Sequence, residues 1–235
     1  MILRALFILA AIAATGGASA ATPPASVKAD YDVFRDGLHI VNTRESFEHN
    51  DGKFQIVSES DPVGLLAMFI RTRVKAVSSG TVTPAGLRPE RFDYGRLDDP
   101  AKNVSAVFDW SASLLRMTFD NHTETAAIAA GAQDGLSVMY HFMFTHAEQL
   151  RDLEFQMSRN GRKVEHYHYQ LAGSEQLETK IGKLNTLHLI KKREPDDNGV
   201  EIWLAQDHNL FPVKLLILEK DGTKYEQVIT RLEIK

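Results

Sequence analysis

Apolar and polar residues alternate with period two through most of this sequence of 235 residues, and short turn dipeptides interrupt the alternation. Residues that alternate in this way place successive side chains on opposite faces of a β-strand. Asp51-Gly52, Asn160-Gly161 and Asp221-Gly222 each separate two alternating segments. Asp-Gly and Asn-Gly tolerate the positive φ angles of tight hairpin turns. The pattern therefore predicts a meandering antiparallel sheet.

The predicted strands form two groups. The three dipeptides join the strand pairs Leu38–Glu48 and Lys53–Ser60, Leu153–Ser158 and Arg162–Leu171, and Val213–Glu219 and Thr223–Ile234. Further strands are predicted at Arg71–Val77, Glu90–Gly95, Val104–Trp110, Ser113–Phe119, Leu184–Lys191 and Val200–Leu204. Asn198-Gly199 is a fourth predicted turn, between the last two strands.

Two segments do not alternate. Val63–Phe69 is a short apolar run that we interpret as a turn or a helical step. Asp134–His146 is predicted to be the main helix, with Asp134 capping its first turn. Its apolar residues recur with helical spacing and then surround most of the circumference, which predicts burial on more than one side; they are Leu136, Val138, Met139, Tyr140, Phe142, Met143 and Phe144.

The strands near the carboxyl end are apolar on both faces. In Val213–Leu218, Leu215 and Ile217 alternate with Leu216 and Leu218. Both faces of such strands must be covered, by the helix, by further core, or by a ligand in a groove. We therefore predict a mainly β fold: a curved antiparallel sheet, or open half-barrel, with one main helix packed on the concave side.

The segment Met1–Ala20 has the three parts of a secretory signal: Arg4, an apolar run, and the small residues that end at Ala20. Cleavage after Ala20 is expected to export the protein to the periplasm. The rest divides into a flexible lead-in, residues 21–28, and a single β-rich domain, residues 29–235. No membrane-spanning helix is predicted after signal removal, because the remaining apolar runs are short.

Composition and motifs exclude several kinds of function. Lys+Arg total 27 against Asp+Glu 31, which argues against nucleic-acid binding, and cysteine is absent, so no disulfide or thiolate site is possible. No nucleotide-binding or serine-hydrolase motif occurs. No catalytic residue, metal site or cofactor is predicted.

Three polar clusters are candidate chemical sites. His166 and His168 share one strand face and, with His188, could bind zinc, although exposed imidazoles opposite a buried Tyr167 and Tyr169 are the simpler interpretation. Asp207-His208 is interpreted as a polar turn, because adjacent residues in an extended chain point apart. The stripe of cations Arg71, Arg73 and Lys75 fits either an anionic lipid surface or an edge strand.

The sequence resembles domain of unknown function family 3108 of exported proteobacterial envelope proteins. The resemblance rests on a series of short motifs in the same order, spread over about residues 31–234; among them are Gly64–Phe69, Gly86–Pro89, Phe108–Trp110, Gly131–Tyr140, Thr186–Leu189, Trp203–Asp207 and Pro212–Leu215. It implies an exported, antiparallel β-rich envelope protein. It implies no catalytic residue.

The leading functional prediction is a non-enzymatic periplasmic protein that binds a lipid, another amphipathic envelope component, or a partner in the concavity. Flexible methionines and aromatic residues suit such a site. The predicted ligand-binding residues are Met139, Phe142, Met143, Trp203, Leu216 and Leu218. The alternatives are a structural or interaction protein with a filled core and, more remotely, a zinc-dependent hydrolase.

Overall fold

The computed structural model describes residues 24–64, 66–69, 73–96, 98–193 and 197–235. Within them, one sheet contains fifteen strands. The strands are β1 (Ser26–Arg35), β2 (Leu38–Asn50), β3 (Lys53–Pro62), β4 (Val74–Thr83), β5 (Gly86–Arg96), β6 (Val104–Asp109), β7 (Leu114–Phe119), β8 (His122–Ala127), β9 (Gln133–Asp134), β10 (Asp152–Ser158), β11 (Glu165–Thr179), β12 (Gly182–Lys191), β13 (Gly199–Ala205), β14 (Phe211–Leu218) and β15 (Lys224–Ile234). The predicted signal segment, residues 1–20, lies outside the described residues.

The sheet is curved and open. Its spatial order is β8-β7-β6-β5-β4-β3-β2-β1-β15-β14-β13-β12-β11-β10-β9. The first and last strands, β1 and β15, pair at the centre of the sheet, and the two edge strands, β8 and β9, do not pair with each other. Neighbours are antiparallel, except that β9 runs parallel to β10. Curvature nevertheless brings β9 close to β4, where the Ser78 hydroxyl donates a 2.6 Å hydrogen bond to Asp134. The predicted fold class, mainly β with an open half-barrel, is confirmed.

The predicted turns are mostly confirmed. Asp51 and Gly52 both have positive φ, 49° and 72°, between β2 and β3. Gly161 and Gly222 also have positive φ in their hairpins, at 71° and 88°. The fourth predicted turn, Asn198-Gly199, is wrong: Gly199 begins β13 and pairs with Leu218, because the connection from β12 is longer than a two-residue turn.

Strand ends differ from the predictions where tertiary pairing decides them. β1 begins at Ser26, within the predicted lead-in, because Val27 is fully buried between Phe47 and Ile234. β4 begins at Val74, while residues 71 and 72 of the predicted Arg71–Val77 lie outside the described residues. β4 lies between β3 and β5, so the edge-strand interpretation of its cations is wrong. Two of them pair with carboxylates of β3: Arg73 with Asp61 at 2.8 Å and Lys75 with Glu59 at 3.0 Å.

The main helix is shorter than predicted. α1 (Leu66–Phe69) occupies the predicted helical step, and α2 (Ser137–His141) continues as a 3₁₀ turn through Phe144. The prediction of Asp134–His146 is wrong at its amino end because Asp134 belongs to β9. It is wrong at its carboxyl end because the backbone becomes extended at Thr145.

α2 packs inside the curve of the sheet, as predicted. Tyr140 is fully buried, stacks on Phe47 of β2 with ring centroids 5.3 Å apart, and meets Phe211 of β14 edge-on at 5.5 Å. Val138 and Phe142 pack into a second cluster with Leu150, Leu189 and Leu204. The helix is therefore buried on more than one side.

The other face of the carboxyl-terminal strands is covered by a hairpin. We call the face of β13 and β14 that carries Ile202 and Leu215 the concave face, and the face that carries Trp203 and Leu216 the outer face. The long β11–β12 hairpin crosses the outer face: the Trp203 indole donates to Glu175 of β11, and Lys180 at its tip forms a 2.5 Å ion pair with Asp32 of β1. Leu177 and Ile181 pack against the same hydrophobic cluster as Trp203.

Candidate functional site

A cavity of about 260 Å³ lies between α2 and the concave face. An engineered apolar cavity of roughly 150 Å³ holds a benzene molecule, so this space can hold a larger group. The walls come from strands on both sides of β1 and from the segment that leads into α2. Lining residues are Tyr31, Thr43, Glu45, Ser58, Ser60, Gly135, Leu136, Val138, Met139, Met157, Arg159, Tyr167, Tyr169, Val200, Ile202, Pro212, Lys214, Leu215, Ile217 and Gln227.

Most of the cavity wall is apolar. α2 and its preceding residues supply Leu136, Val138 and Met139, and β13 and β14 supply aliphatic side chains from their concave face. Opposite them, Tyr167 and Tyr169 of β11 are buried and stack 6.2 Å apart. Burial raises the pKa of Tyr167 to about 12 and raises the pKa of Tyr169 further, so both phenols are neutral near neutral pH. This wall is suited to an aliphatic or aromatic group.

One wall of the cavity is polar. Glu45 of β2 accepts hydrogen bonds from the Ser58 hydroxyl at 3.0 Å and from the Tyr140 hydroxyl at 3.2 Å. Removal from bulk water raises the pKa of the Glu45 carboxyl, and the same burial together with the nearby Glu45 charge raises the pKa of Tyr140. Thr43 and Ser60 are hydrogen-bonded to each other at 2.9 Å. The polar groups of this wall are thus satisfied by the protein itself.

Asp134 fixes the segment that carries α2. It is fully buried, and its carboxylate accepts the hydrogen bond from Ser78 as well as bonds from the backbone N–H groups of Leu136 and Ser137, at 2.9 and 2.8 Å. Ser137 is the first residue of α2, so its N–H has no partner within the helix, and Leu136 is the N-cap residue. The prediction that Asp134 caps the helix is therefore wrong in position: Asp134 lies in β9, two residues before the N-cap, and holds the segment that leads into α2.

Gly135 brings this segment against the turn after β10. A Cβ at Gly135 would stand 2.2 Å from the Arg159 carbonyl oxygen, closer than real Cβ contacts come. Glycine is therefore needed at this position for the α2 segment to approach Arg159, which lines the cavity.

A charged depression of about 290 Å³ adjoins the cavity, and Arg159, Tyr167 and Val200 line both. The depression also contains Lys163, Lys191, Lys220, Glu165, Asp197 and Asn198. We call this depression, together with Arg159, the cavity mouth.

The predicted ligand-binding residues divide among three places. Met139 lines the cavity. Phe142 and Met143 are buried in the hydrophobic core, at 1% and 5% exposure. Trp203 is buried on the outer face, where it stacks on His188 at 4.2 Å, and Leu216 packs against its cluster. Leu216 and Leu218 alternate with Leu215 and Ile217, and the latter pair lines the cavity.

Sequence reasoning missed the polar wall, Gln227 and Arg159. The local sequence gives only a weak signal for these residues. The alternation in β2 and β3 shows which residues share a face, but it does not show which face is concave. The burial of Tyr167 and Tyr169 opposite the histidines was predicted and is confirmed.

The three histidines do not converge. The backbone N–H of Lys192 pairs with the His168 carbonyl, whereas His188 lies opposite Gly173, further along the β11–β12 ladder. His168 contacts Asp152 and Glu154, and His188 contacts Glu201 at 2.8 Å. In the part of the chain that the structure describes, no group of three or more His, Asp or Glu side chains could hold a metal ion. Asp207-His208 lies in a 3₁₀ turn, as its interpretation as a polar turn predicted.

Comparison with known families decides the classification. The model of a family described as "Protein of unknown function (DUF3108)" matches residues 27–229. The chain belongs to this family. No match is found among curated proteins.

One of the solved structures that resemble this chain shares its fold at low sequence identity, and two others named here are less similar. A β-barrel-like protein of domain of unknown function DUF1849 from Brucella abortus superposes with a TM-score of 0.51 and 10% identity, over 91% of this chain and 99% of that one. A candidate exported protein with a YmcC-like fold from Bacteroides fragilis is less similar, with a TM-score of 0.38 and 9% identity over 89% and 96% of the two chains. MucB in complex with MucA(peri) has a TM-score of 0.37 and 15% identity, over 89% of this chain and 50% of MucB.

None of the helices among the described residues combines the length and the apolar character required to cross a bilayer.

Proposed function

We propose that this protein is a non-enzymatic envelope protein, exported to the periplasm, that binds an apolar or amphipathic molecule in the cavity between α2 and the concave face. The proposal includes a signal peptide at residues 1–20, cleaved after Ala20, and one β-rich domain in residues 29–235. The cavity carries the proposal, because it is partly enclosed and most of its wall is apolar.

The shape of the walls supports binding rather than further core. Polar groups on one side satisfy one another, and the opposite side presents tyrosine rings and aliphatic chains. A molecule with an extended apolar part can replace water against the apolar wall without leaving a buried polar group unpaired.

A fluorescence titration with N-phenyl-1-naphthylamine tests the proposal, because this neutral dye brightens in apolar surroundings. We expect saturable binding of one dye per chain. Ile217→Trp places a large ring in the cavity and is expected to weaken dye binding at least tenfold. Leu218→Trp makes the same change at the next residue of β14, on the other face, and is expected to leave dye binding unchanged.

The alternative functions predict different results. A folded protein that does not bind the dye supports a structural or interaction protein with a filled core and contradicts the proposal. Unchanged binding in both variants would show that the dye binds elsewhere and would also contradict the proposal.

A further inference from the structure

The cavity mouth contains four cations, of which two pair with carboxylates and two do not among the described residues. Lys191 forms a 2.5 Å ion pair with Asp197, and Lys163 pairs with Glu165 at 2.8 Å. Arg159 and Lys220, by contrast, form no ion pair or side-chain hydrogen bond among the described residues. Arg159 is exposed and lines both the cavity and its mouth.

Lys214, the other cation among the residues that line the cavity, is already paired with Glu226 at 2.6 Å and lies over the Trp203 ring. Glu45 is negative or neutral and already accepts from Ser58 and Tyr140, and Thr43 and Ser60 bind each other. An anionic group placed deep in the cavity would face the Glu45 carboxyl and lose its hydration. At the mouth the same group would meet the Arg159 guanidinium, which presents several N–H donors in one plane and suits carboxylate and phosphate oxygens.

From this asymmetry we propose that the cavity binds a single-chain anionic amphiphile, with its apolar tail between α2 and the Tyr167–Tyr169 wall and its headgroup at Arg159 and Lys220. The inference rests on the proposed function and adds the class and the orientation of the ligand. A carboxylate and a phosphate headgroup share the required chemistry.

Competition against the bound dye tests the proposal with four probes of equal chain length: dodecanoate, dodecyl phosphate, dodecan-1-ol and dodecylamine. We expect one or both anions to displace N-phenyl-1-naphthylamine at concentrations at least tenfold lower than the alcohol or the amine. The stronger of the two anions then identifies the headgroup as carboxylate or phosphate. Increasing salt should reduce the preference, because screening weakens attraction at an exposed site.

Two arginine variants locate the headgroup. Arg159→Gln is expected to weaken binding of the anions at least fivefold more than it weakens binding of dodecan-1-ol or the dye. Arg162→Gln removes the same charge three residues later, where the guanidinium pairs with Asp120 at 2.5 Å, and should retain the preference. Both side chains are solvent-accessible, so circular dichroism should show folded protein in each case.

The outcomes separate this proposal from the function it rests on. Dye binding with no preference for anions, or a preference that Arg159→Gln retains, overturns the anionic ligand and leaves the cavity function standing. Absence of dye binding overturns both.

Discussion

The concave and outer faces of β13 and β14 are both apolar, yet the structure covers them in different ways. On the outer face, the β11–β12 hairpin covers Trp203. Glu175 and Lys180 hold the hairpin in place by a hydrogen bond from Trp203 and an ion pair with Asp32. On the concave face, α2 leaves a cavity that Leu215 and Ile217 line. Apolar residues on both faces of a strand therefore indicate two covers, and the kind of cover depends on elements distant in sequence.

Truncating a side chain of the outer face should lower the free energy of unfolding more than the other changes predicted here. Trp203 is buried, stacks on His188 and lies under Lys214, whose ammonium is 4.8 Å from the ring centroid. Trp203→Ala is expected to lower the free energy of unfolding by about 3–5 kcal/mol, as buried Trp truncations do. Urea denaturation measures this loss. Dye affinity of the folded variant should remain within twofold, and a tenfold loss would show that the two faces are not independent.

Removal of the Asp134 carboxylate tests how the concave face is held open. Asp134→Ala leaves the Ser78 hydroxyl and two backbone N–H groups without their acceptor. We expect unfolding to become easier by about 2–3 kcal/mol, and dye binding to weaken as α2 loses its position. As a control, Asp207→Ala removes an exposed carboxylate from a turn and should cost less than about 0.5 kcal/mol. Equal losses in the two variants would contradict the role of Asp134.

Gly135→Ala tests the close approach of the α2 segment to Arg159. The added methyl group would press on the Arg159 carbonyl, so the segment must shift. We predict a loss of about 1–3 kcal/mol in thermal denaturation, typical of overpacking. The geometry of the cavity mouth should change with it, so a wild-type melting curve together with wild-type anion binding would refute this placement.

The smallest predicted effect is the pH dependence of stability that Glu45 causes. Because removal from water raises the pKa of this carboxyl above its ordinary value of 4.5, the folded state holds the proton more tightly than the unfolded state. The contribution of Glu45 to the free energy of unfolding is therefore lost as pH rises from the ordinary pKa through the raised pKa. Glu45→Gln stays neutral, so its stability relative to the parent should increase between pH 4 and pH 8. Melting temperatures across this range check the sign, and a difference that is constant with pH would contradict it.

Much of the sheet could be predicted from local sequence, since alternation and Asp-Gly or Asn-Gly turns are local signals. Asp36-Gly37, whose φ angles are 48° and 81°, is the same kind of local signal at the end of β1. β8 could not be found in this way, because its side chains are largely exposed on both faces and do not alternate.

The helix and the site depended on longer-range contacts. Helical spacing continued through Phe142–Phe144, so the sequence did not reveal that the last turn is 3₁₀. For the site, Met139 was found from its helix, whereas Glu45 and Arg159 reach the cavity only through the curvature of the sheet. The same curvature decides that Leu215 and Ile217, rather than Leu216 and Leu218, face the cavity.

Native mass spectrometry of the protein purified from its own host tests the binding cavity most directly, because it reports bound molecules without a chosen probe. A cavity that holds a ligand predicts a stoichiometric adduct with the mass of one small anionic amphiphile, retained in Leu218→Trp and lost in Ile217→Trp. Protein that carries no adduct and shows the same spectrum in both variants would contradict it.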